Sequence, residues 1–375
     1  MAMTNFGRLT EEQATVWARD VWREARQTSF YLSNFAGDSK DAMLHRITEL
    51  RAVKGQARAV ITLVPDLEGD GVVGDNQLEG NEEAIRAFDQ VIEFDQIRHA
   101  NRHEGVMADM RSVVRFRETS RDVLAYWLAT RLDEQIALAL SGVSFAYRIN
   151  GAPRVGSQWT QLAYASYITP PSANRHFRWD SAGHTLAAGS TSSVTASDTP
   201  SWEMLVEIKA KMSELGIRPV RGEGGYEMYN VFMHSRGIAK LKKDPDFLNA
   251  WTHAQKQGDG NPLFRGTRKG GRQGFFIDGL NIMEYENVFN TTGLAPGSKW
   301  GAAGDVEGQR VLVCGAQALG IADIGLPRWV EKEFDYDASP GIAIAKLFGL
   351  LKPVWPSSRT GTKEDFGVVV VDTAI

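Results

Sequence analysis

Apolar residues recur at three- and four-residue spacing from Ala14 through Trp17, Ala18, Val21 and Trp22 to Ala25, behind the capping-box pattern Thr10-Glu11-Glu12-Gln13. The spacing predicts an amphipathic helix whose tryptophan-rich face needs a cover. Residues 56–64 (QARAVITLV) read as a strand, residues 65–83 (PDLEGDGVVGDNQLEGNEE) as a long Gly-rich acidic excursion, and FDQVIEFDQIRHA as the next mixed segment, which together make a hairpin-like arm. From Val106 to Ser141 there is no Gly or Pro, and Leu124, Leu128, Leu132, Ile136 and Leu140 fall every four residues, with Gly142 where a C-terminal cap belongs. This predicts one helix of about 36 residues, roughly 54 Å long. A seven-residue apolar repeat is not sustained, so the helix reads as the backbone of an extended shape rather than a coiled coil.

Between Gly183 and Ser201 serine and threonine dominate (GHTLAAGSTSSVTASDTPS), which predicts a loop or linker and a subdomain boundary. After it the pattern gives a helix (SWEMLVEIKAKMSEL), an extended segment (EMYNVFMH), a helix (LKKDPDFLNAWTHAQK) and a Gly-rich loop (GDGNPLFRGTRKGGRQG). Strands follow through FFIDGLNIMEYENV and RVLVCGAQAL. The alternation points to an α+β subdomain. GIAIAKLFGLLKPVWP and FGVVVVDTAI then read as strands that return to an earlier layer.

The chain has 375 residues, 43% hydrophobic and 23% charged, an ordinary globular composition that excludes disordered and collagen-like classes. Lysine plus arginine (42) nearly balances aspartate plus glutamate (46), so the net charge of −4 supplies no global drive toward nucleic acid. The single cysteine, Cys314, sits in an apolar run; it excludes an internal disulfide and reads as a small buried hydrophobe. No secretion signal is expected at MAMTNFGRLTEEQ, and no apolar run approaches the ~18 residues of a membrane span.

Several motifs match by letter but fail on physics. GDGVVG (69–74) fits the dinucleotide pattern G-x-G-x-x-G, yet acids surround it and no lysine or arginine accompanies them. Asp66, Glu68 and Asp70 nearly spell a calcium loop, but Gln77 stands where a bidentate glutamate is required. His99 and His103 have zinc-site spacing, with Ala100 in place of the general-base glutamate and Arg98 and Arg102 beside them. GTRKGGRQG gathers Arg268, Lys269 and Arg272, joined by Arg265, without a Walker lysine and reads as a basic surface loop. No G-x-S-x-G elbow occurs.

The most informative pattern is a complementarity. Asp66, Glu68, Asp70, Asp75, Glu79, Glu82 and Glu83 lack a basic residue among them, while Arg98, Arg102, Arg111, Arg115, Arg117, Arg121 and Arg131 line the approach to the long helix and the helix itself. An acidic arm folded onto its own helix, or projected onto the helix of a second copy, would pair these charges.

Taken in order, WARDVWREARQTSF, TELRAVKGQARAVITLVPDLEGDGVVGDNQLEGNEEAIRAFDQVIEFDQIRHA, RDVLAYWLATRLDEQIALALSG, VLVCGAQALGIADIG, WVEKEFDYDASPGIAIAKLFGLLKP and DFGVVVVDTA resemble the N-four-like phage major capsid protein family. The resemblance spans most of the chain and is weakest between about residues 143 and 200. It implies the α+β Hong Kong type (Johnson) capsid fold. Mapped onto this chain, that fold gives an N-terminal arm (1–55), an E-loop (56–105), a P-domain with its spine helix (106–200, helix 106–141), an A-domain (201–330) and C-terminal strands returning to the P-domain (331–375). The implied role is a tailed-phage major capsid protein, assembled in a bacterial cytoplasm into hexamers and pentamers of an icosahedral head around double-stranded DNA. Implied partners are further copies of itself, a portal, a separate scaffold and decoration proteins, with no membrane. No enzyme activity, catalytic residue, cofactor or metal site is expected, and nothing lets lysine–asparagine crosslinking be carried onto Lys54. No fused scaffolding segment is expected ahead of the N-terminal arm. The expected inter-subunit contacts are Asp70, Asp75, Glu79 and Glu82 against Arg111, Arg115 and Arg121. Two other readings are an encapsulin-type compartment shell and, from another class, a metal- or nucleotide-dependent enzyme using residues 66–103.

Overall fold

The computed structural model describes residues 11–48, 51–53, 56–63, 71–74, 76–77, 79, 82, 88–102, 116–222, 225–255, 264–269, 272–334, 339–357 and 359–375. Among the described residues the helices are α1 (Glu11–Thr28), α2 (Phe30–Asn34), α3 (Phe116–Ser141), α4 (Trp202–Glu214), α5 (Ser235–Leu241) and α6 (Pro245–Gln255). The strands begin with β1 (Ala36–Gly37), β2 (Leu44–Ile47), β3 (Arg51–Val53), β4 (Gln56–Leu63), β5 (Phe88–Ile92) and β6 (Asp95–Arg102). Next come β7 (His176–Asp180), β8 (Thr185–Ala188), β9 (Val220–Arg221), β10 (Glu227–Met233), β11 (Phe264–Lys269), β12 (Arg272–Ile277) and β13 (Leu280–Glu284). The series closes with β14 (Gly308–Cys314), β15 (Leu319–Phe334), β16 (Ser339–Leu351), β17 (Val354–Pro356), β18 (Lys363–Asp365) and β19 (Val368–Ala374).

The apolar runs VLVC and VVVV form strands buried on both faces. Val311, Val313, Val369 and Val371 point into one core with helix α4, while Leu312, Cys314, Val368 and Val370 point into the other with α3. Continuous rather than alternating hydrophobicity is what such a doubly covered strand requires. These strands lie within a nine-stranded sheet ordered β11-β12-β13-β10-β14-β19-β7-β8, with β9 on β10. The sheet draws strands from both sides of residue 200: β7 and β8 share it with β10–β14 and β19. The serine/threonine-rich stretch expected to be a loop contributes β8, paired with β7 from Phe177↔Ala188 to Asp180↔Thr185.

A second sheet, ordered β1-β2-β15-β16-β6, is dominated by the long antiparallel pair β15–β16. One face is covered by α1 and α3. Trp329, Ile342, Ile344, Phe348 and Ile97 pack there with Ala18, Val21, Trp22 and Ala25 of α1 and Leu124 and Leu128 of α3. Trp17 meets Trp329 with ring centroids 5.7 Å apart, so the tryptophan face of α1 has its cover. At one end of the opposite face the hairpin β4–β5 lies over Ala322 and Leu351 through Ile61 and Ile92. Contact there is close: a Cβ on Gly320 would stand 3.1 Å from Ile92, and one on Gly349 would overlap the Glu93 carbonyl.

Helix α3 is described from Phe116; the expected turns at 106–115 lie outside the described residues. From Leu132 to Ser141 every residue is buried, which four-residue spacing alone does not convey. Gly142 ends the helix at φ +64°, with its N–H on Ala139 O (3.1 Å) and the Val143 N–H on Leu138 O (3.0 Å), the paired bonds of a Schellman cap. The helix expected from Leu241 begins instead at Pro245. Asp244-Pro245 explains the break, since proline suits the first helical turn and not the interior of the preceding helix. The Gly-rich basic segment, read from sequence as a loop, pairs as the hairpin β11–β12, Phe264↔Ile277 through Lys269↔Arg272.

Candidate functional site

Two features project from or secure this frame: the hairpin arm and the N-terminal segment laid along the long helix. The arm is built from β4 and β5, paired antiparallel from Ala59↔Ile92 to Leu63↔Phe88. Its base is held by Ala59, Ile61 and Ile92 against Ala322, Leu351 and Trp355, and Gln90 Nε2 donates to the Val354 carbonyl at 2.6 Å. The excursion between these strands carries the expected acidic contacts. Glu79 and Glu82 are exposed, as is Val73 at 78%; Asp70 and Asp75 lie outside the described residues.

Of the arginines along the long helix, those described have local partners. Arg121 pairs with Asp122 at 2.8 Å and lies over Trp17 (5.7 Å), Arg117 forks onto Glu331 (3.1 and 3.0 Å), and Arg131 pairs with Glu134 at 2.8 Å. Arg111 and Arg115 lie outside the described residues. The Asp122 partnership leads the effects that hold the Arg121 guanidinium above its ordinary value. An exposed pair of this kind is worth at most about 1 kcal/mol and exchanges readily for another carboxylate.

The N-terminal segment is fixed by a buried carboxylate that sequence inspection passes over. Asp133 of α3 accepts from Ser29 Oγ (2.6 Å), the Phe30 N–H (2.8 Å) and the Tyr31 N–H (3.2 Å). These bonds satisfy orphan donors at the start of α2 and seat Phe30 and Tyr31 among Phe35, Phe232 and Tyr285; Phe30 stacks on Tyr285 at 4.3 Å. Burial pushes the Asp133 carboxyl up, against the pull of its hydrogen bonds.

Further buried charges tie the sheets together. Arg310 forks onto Asp372 at 2.8 and 3.2 Å and donates to the Ser141 carbonyl, joining β14, β19 and the end of α3. His176 meets the same carboxylate at 2.7 Å. Burial acts to raise the Asp372 carboxyl, but Arg310 and His176 outweigh it and hold the group below its ordinary value. Lys352 pairs with Asp365 at 3.0 Å. Lys346 pairs with Asp323 at 2.6 Å beneath Trp22, 4.3 Å from the ring centroid. Burial lowers both lysines against the pull of their carboxylates.

Of the motifs of the enzyme reading, Asp66, Glu68 and Asp70 lie outside the described residues. His99 lies on a strand and stacks on Trp127 at 4.4 Å, so the helical spacing with His103 does not apply; His103 itself is outside the described residues. Cys314 is fully buried, and burial pushes its thiol up, away from reactivity. Among the described residues no three His, Cys, Asp or Glu side chains converge as a metal site, and no helix is long and apolar enough to cross a membrane. A cavity of about 470 Å³ beside α3 is lined by Trp127, Arg131, Glu134, Arg148, Arg154 and Trp159, with Glu134 held between Arg131 and Arg154. That set binds itself and offers no nucleophile.

The family described as phage capsid protein matches residues 5–375. The chain belongs to the phage capsid protein family. It is 55% identical over 373 residues to a protein named major capsid protein from Pseudomonas phage KPP25, covering 99% of this chain and 97% of that one. The capsid of Ralstonia phage GP4 superposes with a TM-score of 0.73 at 26% identity, over 93% of this chain and 92% of that one. The cyanophage Pam1 capsid does so with a TM-score of 0.66 at 18% identity, over 100% and 96%. The fold is therefore the Hong Kong type capsid fold, and the role is that of a bacteriophage major capsid protein in the virion shell. The resemblance read from the sequence segments holds at the level of family, fold and role.

Proposed function

We propose that this capsid subunit assembles as hexamers and pentamers of an icosahedral tailed-phage head enclosing double-stranded DNA, and that its acidic arm is the inter-subunit strap. Asp70, Asp75, Glu79 and Glu82 of one copy then face Arg111, Arg115 and Arg121 of the next. The observation that supports this is the hairpin β4–β5, secured at its base by Ile61, Ile92 and Trp355 and leading into an excursion whose Val73 and Glu79 stand in solvent. A subunit of this shape gains stability from many interfaces formed together.

In this reading the N-terminal arm is 1–55, the E-loop 56–105, the P-domain 106–200, the A-domain 201–330, and 331–375 the returning strands. Pairing adds detail to that division, since β6 joins β16 in the sheet under the long helix, and β19 joins β14 and β7. The role is structural rather than enzymatic. Assembly takes place in the bacterial cytoplasm with a portal, a separate scaffold and decoration proteins as partners.

The test is charge reversal with particle yield read by electron microscopy and sedimentation. Asp75→Lys/Glu79→Lys/Glu82→Lys should lower shell yield at least tenfold while leaving the circular dichroism spectrum unchanged, and adding Arg115→Glu/Arg121→Glu should restore part of it. Undiminished yield in the triple variant would remove the strap.

A further inference from the structure

Seven arginines near the long helix look like one cluster in the sequence, but the fold divides the five that are described. Alternate residues of a strand point to opposite faces. On β6, Ile97 and His99 face α3, His99 by stacking on Trp127, and Asn101 bonds Ser120 of the helix at 2.8 Å. Arg98, Ala100 and Arg102 therefore point away, onto the far face, where all three are exposed. The registers place Val330, Ala343 and Ala100 side by side in one row across β15, β16 and β6. On one side of it runs Arg328–Ala345–Arg98, and on the other Lys332–Gly341–Arg102.

The far end of this face is thus a platform of small residues, broken by Val330 and by the Phe334 ring over Gly341, with a cation at each corner. Strand spacing puts the corners about 10 Å apart across the sheet and about 13 Å along it. Arg98 and Arg328 form no ion pair with another described residue. Arg102 and Lys332 both lean on Phe334, at 4.5 and 4.9 Å from its ring centroid, which keeps two of the corners over the platform. Among the described residues, Asp323 and Glu331 of β15 are turned to the helix face, where they hold Lys346 and Arg117. Leu63 and Phe88, where the strands lead into the acidic excursion, lie near Trp355 at the other end of the sheet.

We propose that this platform is a contact surface for the phosphate backbone of double-stranded DNA. The inference rests on the capsid reading above and goes beyond it, since it assigns the DNA-facing side of the sheet. An acidic polypeptide in extended form needs clefts for its intervening side chains, and Ala100, Ala343 and Ala345, with Phe334 closed over Gly341, offer none. A rod of regularly spaced phosphates needs only a flat surface and long cations at its rim. Four such contacts per subunit, repeated over a shell, give weak and sequence-independent binding that salt dissolves.

The experiment measures binding of a duplex of about 20 base pairs to unassembled full-length subunits by fluorescence anisotropy over a range of salt concentrations, with shell assembly scored in parallel. Four phosphate contacts predict a slope of about −3.6 in log K against log salt, falling to about −1.8 in Arg98→Gln/Arg328→Gln. Binding should be abolished when Arg102→Gln/Lys332→Gln are added, with shells still formed. The double variant leaves Phe334 and its cations untouched and guards against a folding defect. An unchanged slope in the fourfold variant, or no DNA binding by the wild type, overturns the proposal. Loss of shells with an intact fold assigns the face to a second copy's acidic segment and overturns it as well. Failure of the wild type to form shells even with its scaffold supplied contradicts the hexamer-and-pentamer reading separately, because the salt slope is read on unassembled subunits.

Discussion

Replacing Asp133 by alanine removes one carboxylate and strands at least three donors, the Ser29 hydroxyl and the Phe30 and Tyr31 N–H groups. Each donor left buried without a partner costs about 1–3 kcal/mol. Removing the carboxylate also returns part of the cost of burying it, which is what pushes its pKa up. The balance is about 3 kcal/mol against docking of residues 29–35, or more than a hundredfold in the local opening equilibrium. Native-state hydrogen exchange on unassembled subunits reads this directly at the Phe30 and Tyr31 amides. Protection should fall by about that factor in Asp133→Ala and by less in Asp133→Asn, which keeps one acceptor oxygen. Because the folded pKa lies above the ordinary 3.8, the folded state holds the proton more tightly between the two values. This group's contribution to stability therefore declines as pH rises through that window and is flat above it, and Asp133→Asn should erase the slope. Protection unchanged within about threefold in Asp133→Ala would refute the latch.

Gly142→Ala should destabilise the subunit by about 2–4 kcal/mol in urea unfolding, because its φ is +64° and a Cβ would sit 2.7 Å from the Thr169 carbonyl oxygen and 2.8 Å from Pro171; a change under about 0.5 kcal/mol would contradict the cap. Arg310→Met leaves the Asp372 carboxylate buried with His176 alone and should cost about 3–5 kcal/mol at neutral pH. Asp372 contributes stability above its ordinary pKa of 3.8 that is lost as pH falls through its depressed folded value, so the acid limb of the stability profile should move to higher pH in this variant. An acid limb in the same place as in the wild type would show that Arg310 does not set it.

Much of the frame is legible in the sequence because its elements declare their period. Helix α1 shows its face through Trp17, Val21 and Trp22, and β14 and β19 show as unbroken apolar runs because both their faces are buried. The hairpin β11–β12 hid behind glycine and arginine, since its pairing is dictated by the neighbouring strand rather than by its own pattern. The turn between β12 and β13 did carry a signal: Asp278-Gly279, both at positive φ, is the dipeptide of a tight hairpin. Asp133 and the Arg310–Asp372 pair were not legible, because a buried charge uses the same letter as a solvated one and its partner lies 62 residues or more away in the chain. The division of the arginines depended on which residues of β6 face the helix, and a strand's facing is set by register rather than composition.

The most direct test of the central claim is a cryo-electron microscopy reconstruction of particles assembled from the purified protein, with its scaffold supplied if needed. The account predicts closed shells of six- and five-fold clusters in which residues 71–82 of each copy lie against the long helix of the next, near Arg121. Small discrete oligomers without closed shells, or shells in which that excursion touches only its own chain, would contradict it.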